Sequence, residues 1–140
     1  MKIDAIRNGM VIDHISAGCG MRLYHLLGLD EQDVSVAIIK NVPSRKMGKK
    51  DIIKIDATIP VNLDVIGYVD PGATVNIIRE GELIEKKNIP MPAELRNVLR
   101  CNNPRCITST EQELPHIFRL TDPERKIYRC VWCETAFKAV

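Results

Sequence analysis

The chain has 140 residues, enough for one domain or two small ones, and its 20 basic and 18 acidic side chains leave a formal net charge of +2 at pH 7. This near balance excludes the strongly basic surface that a duplex-binding protein presents. Aromatic residues make up only 4% of the chain, so β-branched aliphatic residues must fill much of the core, which favours strands.

The first ninety residues alternate between strand and helix patterns. In chain order these are strands over 2–7 and 10–15, a helix over 18–27, strands over 34–42 and 51–56, a helix over 60–68, and a hairpin of strands over 74–79 and 82–87. We expect Gly28 to end the first helix and Pro43 to stop the strand over 34–42. Glu80-Gly81 is expected to form the hairpin turn. The order β-α-β-β-α-β is that of the ferredoxin-like split βαβ fold, which predicts an α+β domain.

The last fifty residues are organised differently. Pro90-Met91-Pro92 predicts a stiff linker, and short strands follow around Val98, over 116–120 and over 127–129. We therefore divide the chain into one domain over 1–90 and a small all-β, zinc-ribbon-like domain over 91–140.

Four cysteines in two close pairs lie in this second domain. They form the segments Cys101-Asn-Asn-Pro-Arg-Cys106 and Cys130-Val-Trp-Cys133. Four thiolates occupy all four positions of a tetrahedral zinc ion, so the spacing predicts one structural Zn²⁺ per chain with no open position for chemistry. The alternative is two disulfides, which require an oxidising compartment and leave the fifth cysteine, Cys19, unpaired. His116 lies in the insert between the pairs, and we expect it to be an ordinary surface residue.

The N-terminal residues Met1-Lys2-Ile3-Asp4 have no apolar signal region, and no apolar run in the sequence is long enough to span a membrane. These features predict a cytoplasmic protein, in which thiols stay reduced.

Basic residues in the first domain are the other informative group. Residues 45–50, read Arg-Lys-Met-Gly-Lys-Lys, form either a solvated loop or part of a phosphate site. Lys50 and Lys54 project to the same face of a strand, and Lys86 and Lys87 of the hairpin are expected to close the other side. The sequence contains neither GxxxxGK[ST] nor GxGxxG, so such a site would bind a polyphosphate without hydrolysing it.

Catalytic residues are not predicted anywhere in the chain. Asp13 and His14 are adjacent on a strand, so their side chains are expected to point to opposite faces and not to form an acid–base pair. Cys19 is a candidate nucleophile beside His14, but a lone cysteine more often packs as a small apolar residue.

Several segments together resemble a known family. They are Ala5-Ile6 with Gly9, Val11-Ile12-Asp13-His14-Ile15, Pro43-Ser44, Met47-Gly48-Lys49-Lys50-Asp51, Ile53-Lys54-Ile55, Ala73-Thr74-Val75-Asn76, Asn97-Val98-Leu99, and the two cysteine turns with Ile107 and Glu134. In this order and nearly end to end, the chain resembles the regulatory chain of aspartate carbamoyltransferase. Two positions depart from the family pattern: Ser16 stands where proline is usual, and Gly81 where relatives carry an aromatic residue.

This resemblance implies a non-catalytic allosteric subunit of an enzyme of pyrimidine biosynthesis. Its first domain would bind CTP, ATP and UTP as effectors and pair with a second regulatory chain in a homodimer. Its zinc domain would contact the catalytic chain, so that three regulatory dimers bridge two catalytic trimers.

The resemblance also implies a role for each residue of the nucleotide site. Asp4-Ala5-Ile6 would read the base through the backbone, Asp13 would hold the ribose, and His14 and Lys86 would meet the phosphates. Lys54 would lie by the sugar and base, and Lys50 near the phosphates or a second nucleotide. The pocket would be lined by Val11, Asn76, Ile78 and Leu83. The alternative is a zinc-ribbon RNA-binding or translation-associated protein, against which the balanced charge and the scarcity of aromatic residues argue.

Overall fold

The computed structural model describes residues 6–137, and the chain divides into two compact units, Met1–Pro90 and Met91–Val140. The elements of the first unit are β1 (Gly9–Ser16), α1 (Gly20–Leu26), β2 (Val36–Ser44), β3 (Gly48–Ile55), α2 (Leu63–Val69), β4 (Thr74–Arg79) and β5 (Glu82–Asn88). The second unit contains β6 (Glu94–Arg96), β7 (Ile117–Asp122) and β8 (Ile127–Cys130). Short 3-10 turns lie at Leu29–Glu31 and Ile107–Ser109. No helix within residues 6–137 is long and apolar enough to cross a membrane.

The first unit is built on one antiparallel sheet with strand order β2-β3-β1-β4-β5. The order of its first four strands, with β1 and β3 at the centre and a helix in each crossover, is that of the ferredoxin-like fold, so the predicted α+β class is confirmed. The fifth strand, β5, pairs with β4 and follows it through a two-residue turn. Glu80 and Gly81, which form this turn, both have positive φ.

Two predicted boundaries are wrong, and a third prediction is described only in part. Residues 2–5 of the strand predicted over 2–7 lie outside the described residues, and Ile6 and Arg7 are not strand. The strand predicted over 10–15 is β1, Gly9–Ser16. Pro43 does not stop β2, because β2 is an edge strand, where a missing N–H costs no ladder hydrogen bond. In the second unit the first strand is β6 rather than a segment around Val98.

The two faces of the five-stranded sheet differ sharply in burial. On β3, Asp51, Ile53 and Ile55 are buried, whereas the alternating residues Lys50 and Lys54 are only half-buried. A side chain at Gly20, the first residue of α1, would meet the Asp51 carboxylate, so α1 packs on the buried face. The opposite face, which we call the open face, therefore carries the polar residues of β3.

Gly9 is required where β1 begins. A Cβ placed on it would lie 2.0 Å from the backbone carbonyl oxygen of Ile55, which cannot move without distorting β3. We expect Gly9→Ala to lower the free energy of unfolding of the first unit by about 2 kcal/mol or more, because the strands must separate locally. Urea denaturation measures this, with Gly72→Ala as the control, since a Cβ there meets only Asp70 Oδ1 at 3.4 Å. Equal stability of the two variants would contradict the close approach of β1 and β3.

The second unit has a three-stranded antiparallel sheet with order β6-β7-β8. Leu95, Phe118, Tyr128 and Cys130 alternate onto one buried face and form its small core. The Tyr128 hydroxyl donates a 2.7 Å hydrogen bond to the carbonyl of Pro92, which ties the start of the unit to β8.

Candidate metal centre and ligand-binding face

The four predicted cysteine ligands come together in the second unit. Their sulfur atoms all lie within 4.8 Å of one another, and the Cys101–Cys133 and Cys106–Cys130 Sγ distances are 3.6 and 3.7 Å. A tetrahedral zinc ion with Zn–S bonds of about 2.3 Å requires sulfur atoms roughly 3.8 Å apart. None of the four is in a disulfide, and the separations exceed the ~2.05 Å of an S–S bond. The cluster fits one structural zinc ion.

Neighbouring groups hold two of the sulfur ligands in position. The Thr108 hydroxyl donates a 3.0 Å hydrogen bond to Cys106 Sγ, and the Cys101 backbone N–H donates to His116 Nδ1 at 3.2 Å. His116 is half-buried and supports the first cysteine turn, so the expectation that it is an ordinary surface residue is wrong. Hydrogen bonds of this kind fix ligand geometry around a metal.

The surroundings of the Cys101 and Cys133 thiols shift their pKa values in opposite directions. Burial and the neighbouring thiols raise the pKa of Cys101 to about 12. Burial also acts to raise the pKa of Cys133, but hydrogen bonds from Thr135 and Asn103 outweigh it and lower the value to about 6. Crowding four sulfurs opposes full ionisation, and a divalent cation that binds thiolates removes this penalty.

Four of the predicted nucleotide-binding residues form a row across the open face of the first unit. Lys54 of β3 lies directly opposite Val11 of β1, Val11 lies opposite Asn76 of β4, and Asn76 lies opposite Lys86 of β5. Directly opposed residues project to the same face of a sheet. The Asn76 carboxamide oxygen is buried with no hydrogen-bond partner among the described residues, so this row offers an unused acceptor between two lysines.

A second polar group lies at the end of β1 on the same face. The Lys50 ammonium forms a 2.9 Å ion pair with the Asp13 carboxylate, and their side chains are 16% and 20% exposed. Burial acts to raise the pKa of Asp13, but Lys50 and the His14 backbone N–H together hold it below its usual value. Asp13 is therefore a fixed acceptor that stays ionised at neutral pH.

Asp13 and His14 do not point to opposite faces, which corrects the sequence prediction. The register of β1 shifts between Ile12 and Ile15, and His14 has φ of 58°. This bulge rotates the His14 ring to 3.9 Å from Asp13 Oδ1 and to 3.2 Å from the Thr74 hydroxyl. Thr74 was not predicted as a site residue, although it lies in the segment Ala73-Thr74-Val75-Asn76 that resembles the family.

The remaining predicted residues have more varied positions. Ile78 pairs with Leu83 after a register shift in β4–β5, and Leu83 is 59% exposed. Ile6 is buried, whereas Asp4 and Ala5 lie outside the described residues. Lys87, expected beside Lys86, instead pairs with buried Val75 and so projects to the face opposite the row.

Comparison with known families accounts for both units. Residues 1–90 match the family model described as aspartate carbamoyltransferase regulatory chain, allosteric domain, and residues 93–139 match its metal binding domain. The chain belongs to the aspartate carbamoyltransferase regulatory chain family. Among the regulatory chains it is similar to, that of Clostridium tetani is 45% identical and the alignment covers 100% of this chain and 98% of the relative.

Other members of the regulatory chain family match over the same extent. The chain is 43% identical to the regulatory chain of Clostridium acetobutylicum, over 99% of this chain and 94% of the relative, and 38% identical to that of Bifidobacterium longum, over 99% of both. The relatives therefore align with this chain across both the allosteric domain and the metal binding domain. The four-cysteine centre lies in the part that matches the metal binding domain.

Proposed function

We propose that this chain is a non-catalytic subunit that carries nucleotide effectors on its first domain, residues 1–90, and contacts the catalytic chain of aspartate carbamoyltransferase through its zinc domain, residues 91–140. The observation that best supports effector binding is the open face, where Lys54, Asn76 and Lys86 lie in one row and Asp13 is held ionised nearby. Positive charges beside a fixed carboxylate and an unused acceptor suit the phosphate, ribose and base of a nucleotide.

We assign the roles of individual residues from the family resemblance, and the arrangement of the open face supports this assignment. Asp13 accepts from the ribose hydroxyls, and His14 and Lys86 contact the phosphates. Lys54 lies by the sugar and base, and Lys50 supports Asp13 and approaches the phosphates. Apolar and amide contacts come from Val11, Asn76, Ile78 and Leu83, and the backbone of Asp4, Ala5 and Ile6 reads the base. CTP, ATP and UTP are the effectors we propose.

Regulation then takes the form of coupling between two sites. A nucleotide shifts the enzyme only by its differential affinity for the two quaternary states, which is typically worth about 1–3 kcal/mol. CTP would favour the state of low substrate affinity, and ATP, bound to the same site, would oppose it. The assembly we propose joins regulatory homodimers to catalytic trimers.

The phosphate end of the site is tested by the effect of Lys86→Ala on two ligands. We expect this variant to weaken CTP binding about ten- to hundredfold while leaving cytidine binding nearly unchanged, because only CTP has phosphates for the lost charge to meet. Asp13→Ala should weaken CTP and cytidine alike, because both have the ribose. Calorimetric titration of each variant with each ligand separates the two roles.

Lys49→Ala is the matched control, because Lys49 is an exposed neighbour of Lys50 that projects to the other face of β3. It should leave both affinities unchanged within about twofold. If Lys86→Ala weakens CTP and cytidine equally, or neither, Lys86 does not contact the phosphates.

A further inference from the structure

The outer face of the three-stranded sheet carries two arginines side by side. Arg119 on β7 lies directly opposite Arg129 on β8. The residues that alternate with them, Phe118, Tyr128 and Cys130, are buried, so both guanidinium groups are on the exposed face.

Ion pairing within the unit does not explain this pair. Like charges directly opposite each other destabilise a sheet. Within residues 6–137, no carboxylate oxygen forms an ion pair with either guanidinium, although Glu94 lies opposite Arg119 on its other side. Arg125 on the following turn is different, because it pairs with Asp122 at 3.9 Å.

An open cleft lies beside the arginine pair. An open cleft of about 440 Å³ is lined by Arg119, Thr121, Arg129, Cys130, Val131 and Glu134. Arg129 Nη1 donates a 3.0 Å hydrogen bond to the Glu134 carbonyl oxygen, so one guanidinium is already oriented. An oriented guanidinium with free N–H groups binds a carboxylate through two parallel hydrogen bonds.

We propose that Arg119 and Arg129 form a docking surface for acidic side chains of the catalytic chain. This inference rests on the proposed function, which supplies the partner, and adds the surface and the chemistry of contact. Protein carboxylates fit better than nucleic acid, because residues 94–140 carry eight basic and six acidic side chains rather than a basic stripe.

The test compares charge reversals in the full chain. Arg119→Glu and Arg129→Glu should each weaken binding to purified catalytic trimers about ten- to hundredfold, measured by surface plasmon resonance, and should reduce the salt dependence of association. Arg125→Glu is the matched control, because Arg125 is also an exposed arginine of the same unit. It should change the affinity by less than about twofold. Zinc content and CTP affinity should stay at the wild-type values.

The outcomes separate this surface from the proposed function. If wild-type chain binds the trimers and both reversals bind equally well, the docking surface is wrong and the proposed function stands. If wild-type chain does not bind the trimers, both are wrong. Should either reversal fail to fold, Arg119→Gln and Arg129→Gln remove the charge without introducing an acid, and wild-type affinity of both variants would overturn the proposal.

Discussion

Removal of the metal ion is expected to unfold residues 91–140 and to leave the fold of residues 1–90 intact. The second unit is only fifty residues long, and its core consists of a few residues around Phe118 and Tyr128. A core of this size rarely sustains a fold alone. Zinc binding to a structural cysteine site contributes an apparent free energy of about 10–16 kcal/mol at neutral pH, which exceeds the roughly 3–5 kcal/mol that a core of this size supplies.

Chelation and Cys106→Ser test this expectation separately. Two-dimensional NMR should show that the resonances of the second unit collapse to unfolded positions while those of the first unit persist, and CTP titration should still give the wild-type affinity. Binding to the catalytic trimer should be lost. Cys19→Ser is the control, because Cys19 lies in the first unit and outside the four-sulfur cluster. A second unit that stays folded after complete zinc removal would contradict the structural role of the metal.

The second large effect is expected at Asp51. This carboxylate is fully buried and accepts backbone N–H bonds from Gly18 at 3.1 Å, Gly20 at 2.9 Å and Asn41 at 3.0 Å. It thereby joins the start of α1 to the bulge in β2, where Asn41 has φ of 58°. Asp51→Ala leaves three donors without their acceptor, and we expect the free energy of unfolding to fall by about 3 kcal/mol or more.

Chemical denaturation of the full chain, followed by signals of the first unit, measures the loss. Asp56→Ala is the matched control, because Asp56 follows the same strand but is exposed. It should change stability by no more than about 0.5 kcal/mol. A similar small change for Asp51→Ala would show that water or rearranged backbone satisfies the three donors.

Much of the first unit was predictable because its elements are local. Periodicity and turn residues indicate the order of helices and strands along the chain. They also place the end of α1 shortly before Gly28, which has positive φ, and the hairpin turn at Glu80-Gly81. Pro43 was misread because its effect depends on whether the strand lies at an edge, which only the assembled sheet decides. Asp51 had a signal that was missed: a charged residue occupies the buried register of an otherwise apolar alternation in β3.

The metal centre and the ligand-binding face differ in how much of each could be predicted from the sequence. The four cysteines of the metal centre were predicted, because paired cysteines on turns specify a tetrahedral site by spacing alone, whereas the supporting contacts of Thr108 and His116 were not. On the open face, the row that contains Lys54 and Lys86 could not be predicted, because it depends on how four strands pair in the sheet. The prediction that Asp13 and His14 point to opposite faces was wrong, because a bulge breaks the two-residue alternation of the strand. No residue type in that segment indicates a bulge.

The central claim, that this chain transmits nucleotide binding to a separate catalytic chain, is tested most directly by aspartate saturation of purified catalytic trimers with and without this chain. The isolated chain should have no carbamoyltransferase activity. Trimers alone should not respond to CTP or ATP, whereas trimers mixed with the chain should shift their aspartate response in opposite directions with the two nucleotides. Lys86→Ala should reduce the shift. An aspartate response that is indifferent to nucleotide after stable assembly, or turnover by the chain alone, would contradict the account.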